Sequence, residues 1–305
     1  QKYFHVCILS RLECRFPVEE SSLMLMHRLL FAVLFLMGAS GCANLVSGVT
    51  ARLADDLAGS ILNSEDIDTV REGVPAYLLL IDSLLRGSPD SQDLLIAAAS
   101  LNGSFSVLVD DEGRTKLLAT KALTYAEHAA CVSRSILCGI RPDDFQTLES
   151  KVADLDSADV PVAYSLAVAW VGWIQAHSDD WAAIGELGKA KALMGRVIEL
   201  NERYENGGPH LYMGGMETIL PASLGGKPEK GKHHFERAIA IDSRYLMTKV
   251  IYAEQYARLV FDQTLHDQLL EEVLAADPKI EGMTLTNKIA QARARELLGT
   301  STEYF

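Results

Sequence analysis

Residues 226–245 read G-K-P-E-K-G-K-H-H-F-E-R-A-I-A-I-D-S-R-Y and contain the clearest helical packing pattern in the chain. It places a small residue at Gly231, an aromatic at Phe235, a small residue again at Ala238 and a turn residue at Ser243. Spacings of three and four residues put the first three on one face of a helix. Small residues let a second helix approach closely, while the aromatic ring fills the neighbouring groove. The pattern therefore predicts a helix packed tightly against a partner helix.

The same spacing recurs in registers that begin at Ala119, Ala190 and His266. The other positions of these registers are Leu123, Ala126 and Cys131, then Met194, Val197 and Glu202, then Leu270, Val273 and Pro278. The registers lie 71, 41 and 35 residues apart. They resemble the second helix of the tetratricopeptide (TPR) repeat, whose period is about 34 residues. The longest step holds two units if the second is degenerate and falls in region 140–160.

Apolar residues recur at helical spacing almost throughout the rest of the chain, and strand-like alternation is absent. The predicted helices are Asp68–Leu85, Asp93–Val109, Gly113–Cys138, Pro161–Ala176, Trp181–Tyr204, Pro209–Leu220, Pro228–Ala240, Tyr245–Asp262, Gln263–Ala276 and Leu285–Leu298. Region 140–160 is expected to be a loop with one short helix, and Asp159 to cap the helix that follows. We expect an all-α fold, residues 64–305, with TPR-like helical hairpins stacked into a single compact solenoid domain. An unrelated helix bundle is the alternative.

An export signal precedes this domain. Residues 29–37, L-L-F-A-V-L-F-L-M, follow Arg28 and lead into G-A-S-G before Cys42. The run is too short to span a bilayer, which needs about 20 apolar residues, and is typical of a signal peptide. The small residues before Cys42 resemble the bacterial lipobox, so we expect cleavage of residues 26–41 and acylation of Cys42, with palmitate among the chains. An ordinary signal peptide with an incidental cysteine is the alternative.

Residues 1–25 have scattered charges and no apolar core of their own, and Met26 or Met24 makes a better start for a signal peptide. We therefore expect residues 1–25 to lie outside the natural product. Residues 42–63 are expected to form a lipid-anchored tether. Ala43 stands where an Asp often retains lipoproteins in the inner membrane, so we expect anchoring on the outer membrane, facing the periplasm.

Acidic residues dominate the rest of the chain. Without residues 1–41, 24 basic and 38 acidic residues remain, and the net charge is −14. Neutralising phosphates requires clustered Lys and Arg, so a nucleic-acid partner is not expected.

Cys131 and Cys138 are the two cysteines that follow Cys42, and an oxidising compartment permits a disulfide between them. A helix continuous through both would separate their Cα atoms by about 10 Å, beyond the roughly 7 Å that a disulfide spans. Gly139 is typical of the residue after a helix end, which keeps Cys138 inside the helix. We therefore expect two buried thiols.

Motifs for catalysis or metal binding are not evident. The sequence contains no H-E-x-x-H, zinc-finger spacing, G-x-S-x-G or Walker loop. His233 and His234 are adjacent, point about 100° apart on a helix, and fit a solvated pair better than two ligands of one ion. The acidic groups 110–112, 179–180 and 271–272 fit helix capping and surface charge better than acid/base pairs. We expect no catalytic residue, metal or cofactor.

Aromatic residues on the first helices of successive pairs are the candidate binding residues. In a TPR array those helices line the concave face, and an aromatic pocket with few polar groups suits an apolar ligand. Packing between neighbouring helices is the alternative. The candidates are Tyr164, Trp170, Trp173, His210, Tyr212, Tyr252 and Tyr256.

Several motifs, taken in order, resemble a known family. They are the lipobox, V-P-A-Y-L-L-L-I-D-S-L-L (74–85) followed by S-P-D-S-Q-D-L-L, G-G-P-H-L-Y-M-G (207–214), L-P-A-S-L-G-G-K-P-E-K-G-K-H-H-F-E-R-A-I (220–239), L-M-T-K-V-I-Y-A-E-Q-Y-A (246–257) and L-T-N-K-I-A-Q-A-R-A-R-E-L-L (285–298). Their order and spacing are similar to those of the T component of tripartite ATP-independent periplasmic (TRAP) transporters, the TatT lipoproteins. The resemblance covers nearly all of residues 42–298.

This resemblance implies TPR-like helix pairs, a homotrimer, and an accessory subunit rather than an enzyme. It also implies association with a periplasmic solute-binding subunit that feeds a membrane permease, and a cleft that holds an apolar ligand. A second interpretation is a generic TPR scaffold lipoprotein for envelope or outer-membrane assembly, whose groove would bind protein segments. A third, a periplasmic enzyme, would need a His/carboxylate cluster on the concave face.

Overall fold

The computed structural model describes residues 59–305, and the predicted signal peptide, the lipidation site and most of the tether lie outside this range. Residues 59–62 are helical. The α-helices that follow are α1 (Ile67–Gly87), α2 (Gln92–Ser106), α3 (Glu112–Ser133), α4 (Phe145–Ala153), α5 (Val160–Ala176), α6 (Trp181–Gly185), α7 (Leu187–Asn201), α8 (Gly208–Thr218), α9 (Pro228–Ile241), α10 (Met247–Ile251), α11 (Gln263–Ala275), α12 (Thr284–Gly299) and α13 (Ser301–Tyr304). A π-helical turn, Tyr252–Ala257, continues α10. No strand occurs in residues 59–305, which confirms the all-α class.

Each predicted helix corresponds to an observed one, with differences at the ends and in two interiors. The predicted helix Trp181–Tyr204 is divided at Glu186 into α6 and α7. The predicted helix Tyr245–Asp262 becomes α10 and the π-helical turn. Region 140–160 contains one short α-helix, α4, as expected.

Aspartate side chains begin many of the helices. Their carboxylates accept backbone N–H groups of the first turn, which otherwise lack partners. The capping residues are Asp66, Asp111, Asp144, Asp180 and Asp262. Asp159 precedes α5 as predicted, but its carboxylate accepts the N–H of Asp156 at 2.9 Å instead of capping α5.

Neighbouring helices pack in pairs: α2 with α3, α5 with α7, α8 with α9, and α10 with α11. The small and large positions of the predicted registers lie in these contacts and are all buried. They are Ala119, Leu123, Ala126, Ala190, Met194, Val197, Gly231, Phe235, Ala238, His266, Leu270 and Val273. The spacing pattern therefore identified the packed face of the second helix in each pair.

The first and last long helices also meet. Leu285 of α12 packs with Val70 and Val74 of α1 in one apolar cluster. Just before α1, Glu65 forms ion pairs with Lys279 at 2.6 Å and Lys288 at 3.2 Å. These contacts join helices about 200 residues apart in sequence, and no sequence pattern predicted them.

The most apolar helix, α5, is buried among the other helices of residues 59–305. Residues 157–176, which include α5, are long and apolar enough to cross a membrane by length and composition alone. However, most of this segment is buried within the protein, with Leu166, Trp170 and Ile174 almost completely covered. A helix that is apolar on all sides is expected where other helices surround it, so α5 is a core helix of this fold.

The expectation of two free thiols is wrong, because Cys131 and Cys138 form a disulfide. α3 ends at Ser133, and a 3₁₀ turn at Ser135–Leu137 brings the chain back toward it. The Cα atoms of the two cysteines are consequently 4.2 Å apart. The prediction failed because it extended the helix to the glycine at 139, whereas helical hydrogen bonding stops several residues earlier.

We expect Gly231→Ala to destabilise the protein. An added Cβ would lie 2.6 Å from Thr218 Cγ2 and 3.0 Å from the Gly214 carbonyl oxygen. Such overpacking costs about 1–3 kcal/mol of unfolding free energy, measurable by urea denaturation. Gly172→Ala is the matched control, because its Cβ would meet no atom within 4 Å. Equal stability of the two variants would contradict the close approach of α8 and α9.

Candidate functional site

The seven candidate aromatic and histidine residues lie on α5, α8 and the π-helical turn, the first helices of three successive pairs. They do not line one common pocket. The structure instead divides them among four groups of side chains.

The first group fixes α5 in place. Trp170 is fully buried, and its indole Nε1 donates to Glu186 at 2.5 Å. Arg141 donates to both Glu186 oxygens at 2.9 and 3.1 Å, and its guanidinium lies 4.5 Å from the Trp173 ring. Glu186 is the residue at which the predicted helix divides, so the network gives that interruption a structural role.

The second group surrounds Phe235. Tyr252 stacks on the Phe235 ring at a centroid distance of 5.2 Å. The Tyr256 hydroxyl donates to Glu229 at 2.9 Å, and burial with this carboxylate raises the pKa of Tyr256 to about 12. Both tyrosines are almost completely buried and therefore pack the π-helical turn against α9.

The third group is a histidine pair between α8 and α9. His210 Nδ1 and His234 Nδ1 are 2.8 Å apart, and His210 Nε2 lies 3.2 Å from Glu202. Arg237 forms two further hydrogen bonds with Glu202, at 2.9 and 2.5 Å. Since Glu202 accepts from His210 Nε2–H, a neutral His210 must accept from His234 through Nδ1. The two tautomers are therefore fixed by the carboxylate.

The charges around the pair support this arrangement. Arg237, with a further contribution from His210, lowers the pKa of Glu202 to about 2. Burial lowers the pKa of His210, and burial together with His210 lowers the pKa of His234 to about 4. At neutral pH Glu202 is charged and both imidazoles are neutral.

The fourth group consists of tyrosines at the amino-terminal ends of α5 and α8. The Tyr164 ring lies 5.1 Å from the Tyr204 ring and 6.0 Å from the Tyr212 ring, edge to face in both cases. Tyr245 lies near them: burial, with electrostatic interactions with Tyr212 and Glu205, raises the pKa of Tyr245. We call Tyr164, Tyr204, Tyr212 and Tyr245 the tyrosine cluster.

A cleft of about 390 Å³ opens at the other ends of the same helices. Its walls are apolar side chains with amide and hydroxyl groups between them, and no lining side chain is charged. The lining residues are Ile174, Gln175, Ser178, Ile184, Thr218, Ile219 and Gln255. The Thr218 hydroxyl lies 3.2 Å from Gln255 Oε1 and 3.0 Å from the Gly214 carbonyl oxygen.

A protein-family model described as the TRAP transporter T-component matches residues 63–305. The chain belongs to this family. No curated protein matches it significantly. T-components are accessory subunits of TRAP transporters and belong to the periplasm or cell envelope.

In this T-component, sequence reasoning missed Tyr204, Tyr245 and every residue that lines the cleft. The predicted candidates were aromatic residues on the first helices of successive pairs, whereas Tyr204 begins the 3₁₀ turn after α7 and Tyr245 precedes α10. Gln255 lies in the π-helical turn, whose wider winding changes the direction of its side chain. Trp173 and Tyr256 are sequence neighbours of the lining residues Ile174 and Gln255, and whether they contact a ligand stays a prediction.

We expect the stability of the protein to fall as the pH is lowered from 6.5 to about 4. The unfolded chain takes up a proton on His234 near its ordinary pKa of 6.5, but the folded protein does so only near pH 4. The unfolded state therefore binds more protons in this window, which makes unfolding easier by about 1–3 kcal/mol at its acidic end.

The measurement is urea denaturation at several pH values. His234→Asn keeps an amide N–H near the Nδ1 position and removes the titration, so its slope with pH should be smaller. The exposed neighbour His233→Asn is the matched control. Identical slopes for His234→Asn and the wild type would refute this origin of the pH dependence.

Proposed function

We propose that this T-component binds the solute-binding subunit of its transporter and holds an apolar ligand in the cleft between α5, α8 and the π-helical turn. The observation that carries the proposal is the uncharged cleft in a chain that matches the T-component family over residues 63–305. Apolar walls with a few hydrogen-bonding groups are typical of sites for such ligands. The volume of about 390 Å³ suits a small lipid-like molecule.

The proposal includes the location and assembly of the subunit. A lipobox ending at Cys42 would anchor the protein to the outer membrane, with residues 42–63 as the tether. Acyl chains on one cysteine give stable membrane binding. The family resemblance supports a homotrimer as the assembled form.

The partner is tested by a pull-down from periplasmic extract with the exported Cys42→Ser protein, which lacks the lipid. We expect a single periplasmic solute-binding protein among the bound proteins identified by mass spectrometry. An unrelated exported lipoprotein with the same cysteine replacement is the control. Light scattering on the purified Cys42→Ser protein, before it meets the extract, should give three times the mass of one chain. Recovery of envelope-assembly proteins alone would refute the transporter partner and support the scaffold interpretation.

The ligand is tested by filling the cleft. Ser178 is exposed at the cleft, so Ser178→Trp should place an indole in it without disturbing the core. We expect the amount of co-purifying apolar molecules, extracted and measured by mass spectrometry, to fall about fivefold or more because the replaced volume is no longer available.

Ser223→Trp is the matched control, because Ser223 is exposed and does not line the cleft. Both variants should retain the thermal stability and the helical circular dichroism of the wild type. An unchanged ligand content in Ser178→Trp would locate the ligand elsewhere.

A further inference from the structure

The tyrosine cluster has features that packing alone does not require. Its four side chains are half-buried, yet none of their hydroxyl groups forms a hydrogen bond within residues 59–305. The hydroxyls are not buried without partners either, so they face accessible space. By contrast, the hydroxyl of Tyr256 in the group around Phe235 donates to a carboxylate.

Glu205 brings a negative charge to this cluster. It contributes to raising the pKa of all four tyrosines, after burial, which is the largest cause in each case. If Gly208 carried a Cβ atom, that atom would lie 2.3 Å from the Tyr164 hydroxyl and 3.4 Å from Glu205 Cβ. Glu205 and Tyr164 therefore both lie close to Gly208, where a larger residue would displace the end of the Tyr164 side chain.

The charge of Glu205 has no partner within residues 59–305. The other carboxylates near the ends of α7 and α8 are paired: Glu202 with Arg237, Glu217 with Lys191 and Glu186 with Arg141. Glu205 is thus the exception in a region where carboxylates otherwise have cationic neighbours.

The backbone around Glu205 is strained. Glu205 and Asn206 have φ values of +46° and +58°, and Gly207 follows with +87°. Left-handed backbone is uncommon outside glycine, and at non-glycine residues it is often associated with ligand binding. These left-handed residues interrupt the helical run between α7 and α8, so Glu205 lies beside the tyrosine cluster and not within a continuous helix.

We propose that the tyrosine cluster and Glu205 form a binding site for a small organic cation, such as a trimethylammonium group. The faces of aromatic rings attract cations through the ring quadrupole, and a carboxylate adds direct charge attraction. Weakly hydrated quaternary ammonium groups lose little on leaving water, so they suit a site built mainly of rings. Phenols that remain neutral would not bind a metal ion strongly.

The cation site and the uncharged cleft lie on the same helices. Tyr164 and Gln175 are separated by three turns of α5, about 16 Å along the helix axis. Tyr212 and Ile219 have the corresponding positions on α8, about 10 Å apart. The inference rests on the proposed ligand-holding function and adds that one end of the ligand is cationic.

The test compares choline with its neutral isostere 3,3-dimethyl-1-butanol, using titration calorimetry on the Cys42→Ser protein. We expect choline to bind about tenfold more tightly than the isostere, because only choline has charge attraction to Glu205 and the rings. Glu205→Asn removes the charge, and asparagine tolerates the left-handed backbone. This variant should lose most of the preference for choline, while the exposed Glu271→Gln control should keep it.

The rings are tested separately. Tyr212→Phe keeps the aromatic face and should retain choline binding, whereas Tyr212→Leu should weaken it while leaving the isostere unaffected. Equal affinities for choline and the isostere, an absence of choline binding, or an unchanged preference in Glu205→Asn would overturn the proposal. Such a result would leave the partner pull-down and the Ser178→Trp comparison unaffected, so failure of the cation site is distinguishable from failure of the transporter role.

Discussion

The close approach of α8 and α9 is the constraint on which the rest of the site depends. A Cβ at Gly214 would lie 2.8 Å from the Phe235 ring, and a Cβ at Gly231 would lie 3.0 Å from the Gly214 carbonyl oxygen. Each helix thus presents a glycine where the other presents a ring or a carbonyl group. Dense packing of this kind leaves little freedom for relative movement, so it fixes where α8 lies.

The position of α8 decides both ends of the candidate site. Its first turns carry His210 and Tyr212, which meet α9 and α5, and its last turn carries Thr218 at the cleft. The glycines therefore support the histidine pair, the tyrosine cluster and the cleft together. Hydrogen bonds to carboxylates also fix the helix ends. Glu202 accepts from Arg237 and His210, and Glu186 accepts from Arg141 and Trp170.

Much of the fold could be predicted because it is recorded in local spacing. The recurrence of small and large residues identified buried positions such as Ala190, Met194 and Phe235, and the aspartates at 111 and 180 cap helices as their positions suggested. The candidate site was predicted less well. Trp170 and Tyr252 are aromatic residues on the expected helices, but their contacts are with Glu186 and Phe235, because the neighbours of a side chain depend on residues distant in sequence.

Local sequence patterns were enough to predict the helical class, the approximate helix bounds and the packed face of each second helix, and the order of motifs showed the resemblance to a transporter subunit. The disulfide between Cys131 and Cys138, the π-helical turn that carries Gln255 and the contact of α1 with α12 became visible in the folded protein alone. Helix periodicity and capping act over a few residues. Chain reversals, changes of helix type and contacts between residues distant in sequence depend instead on the packing free energy of the whole domain.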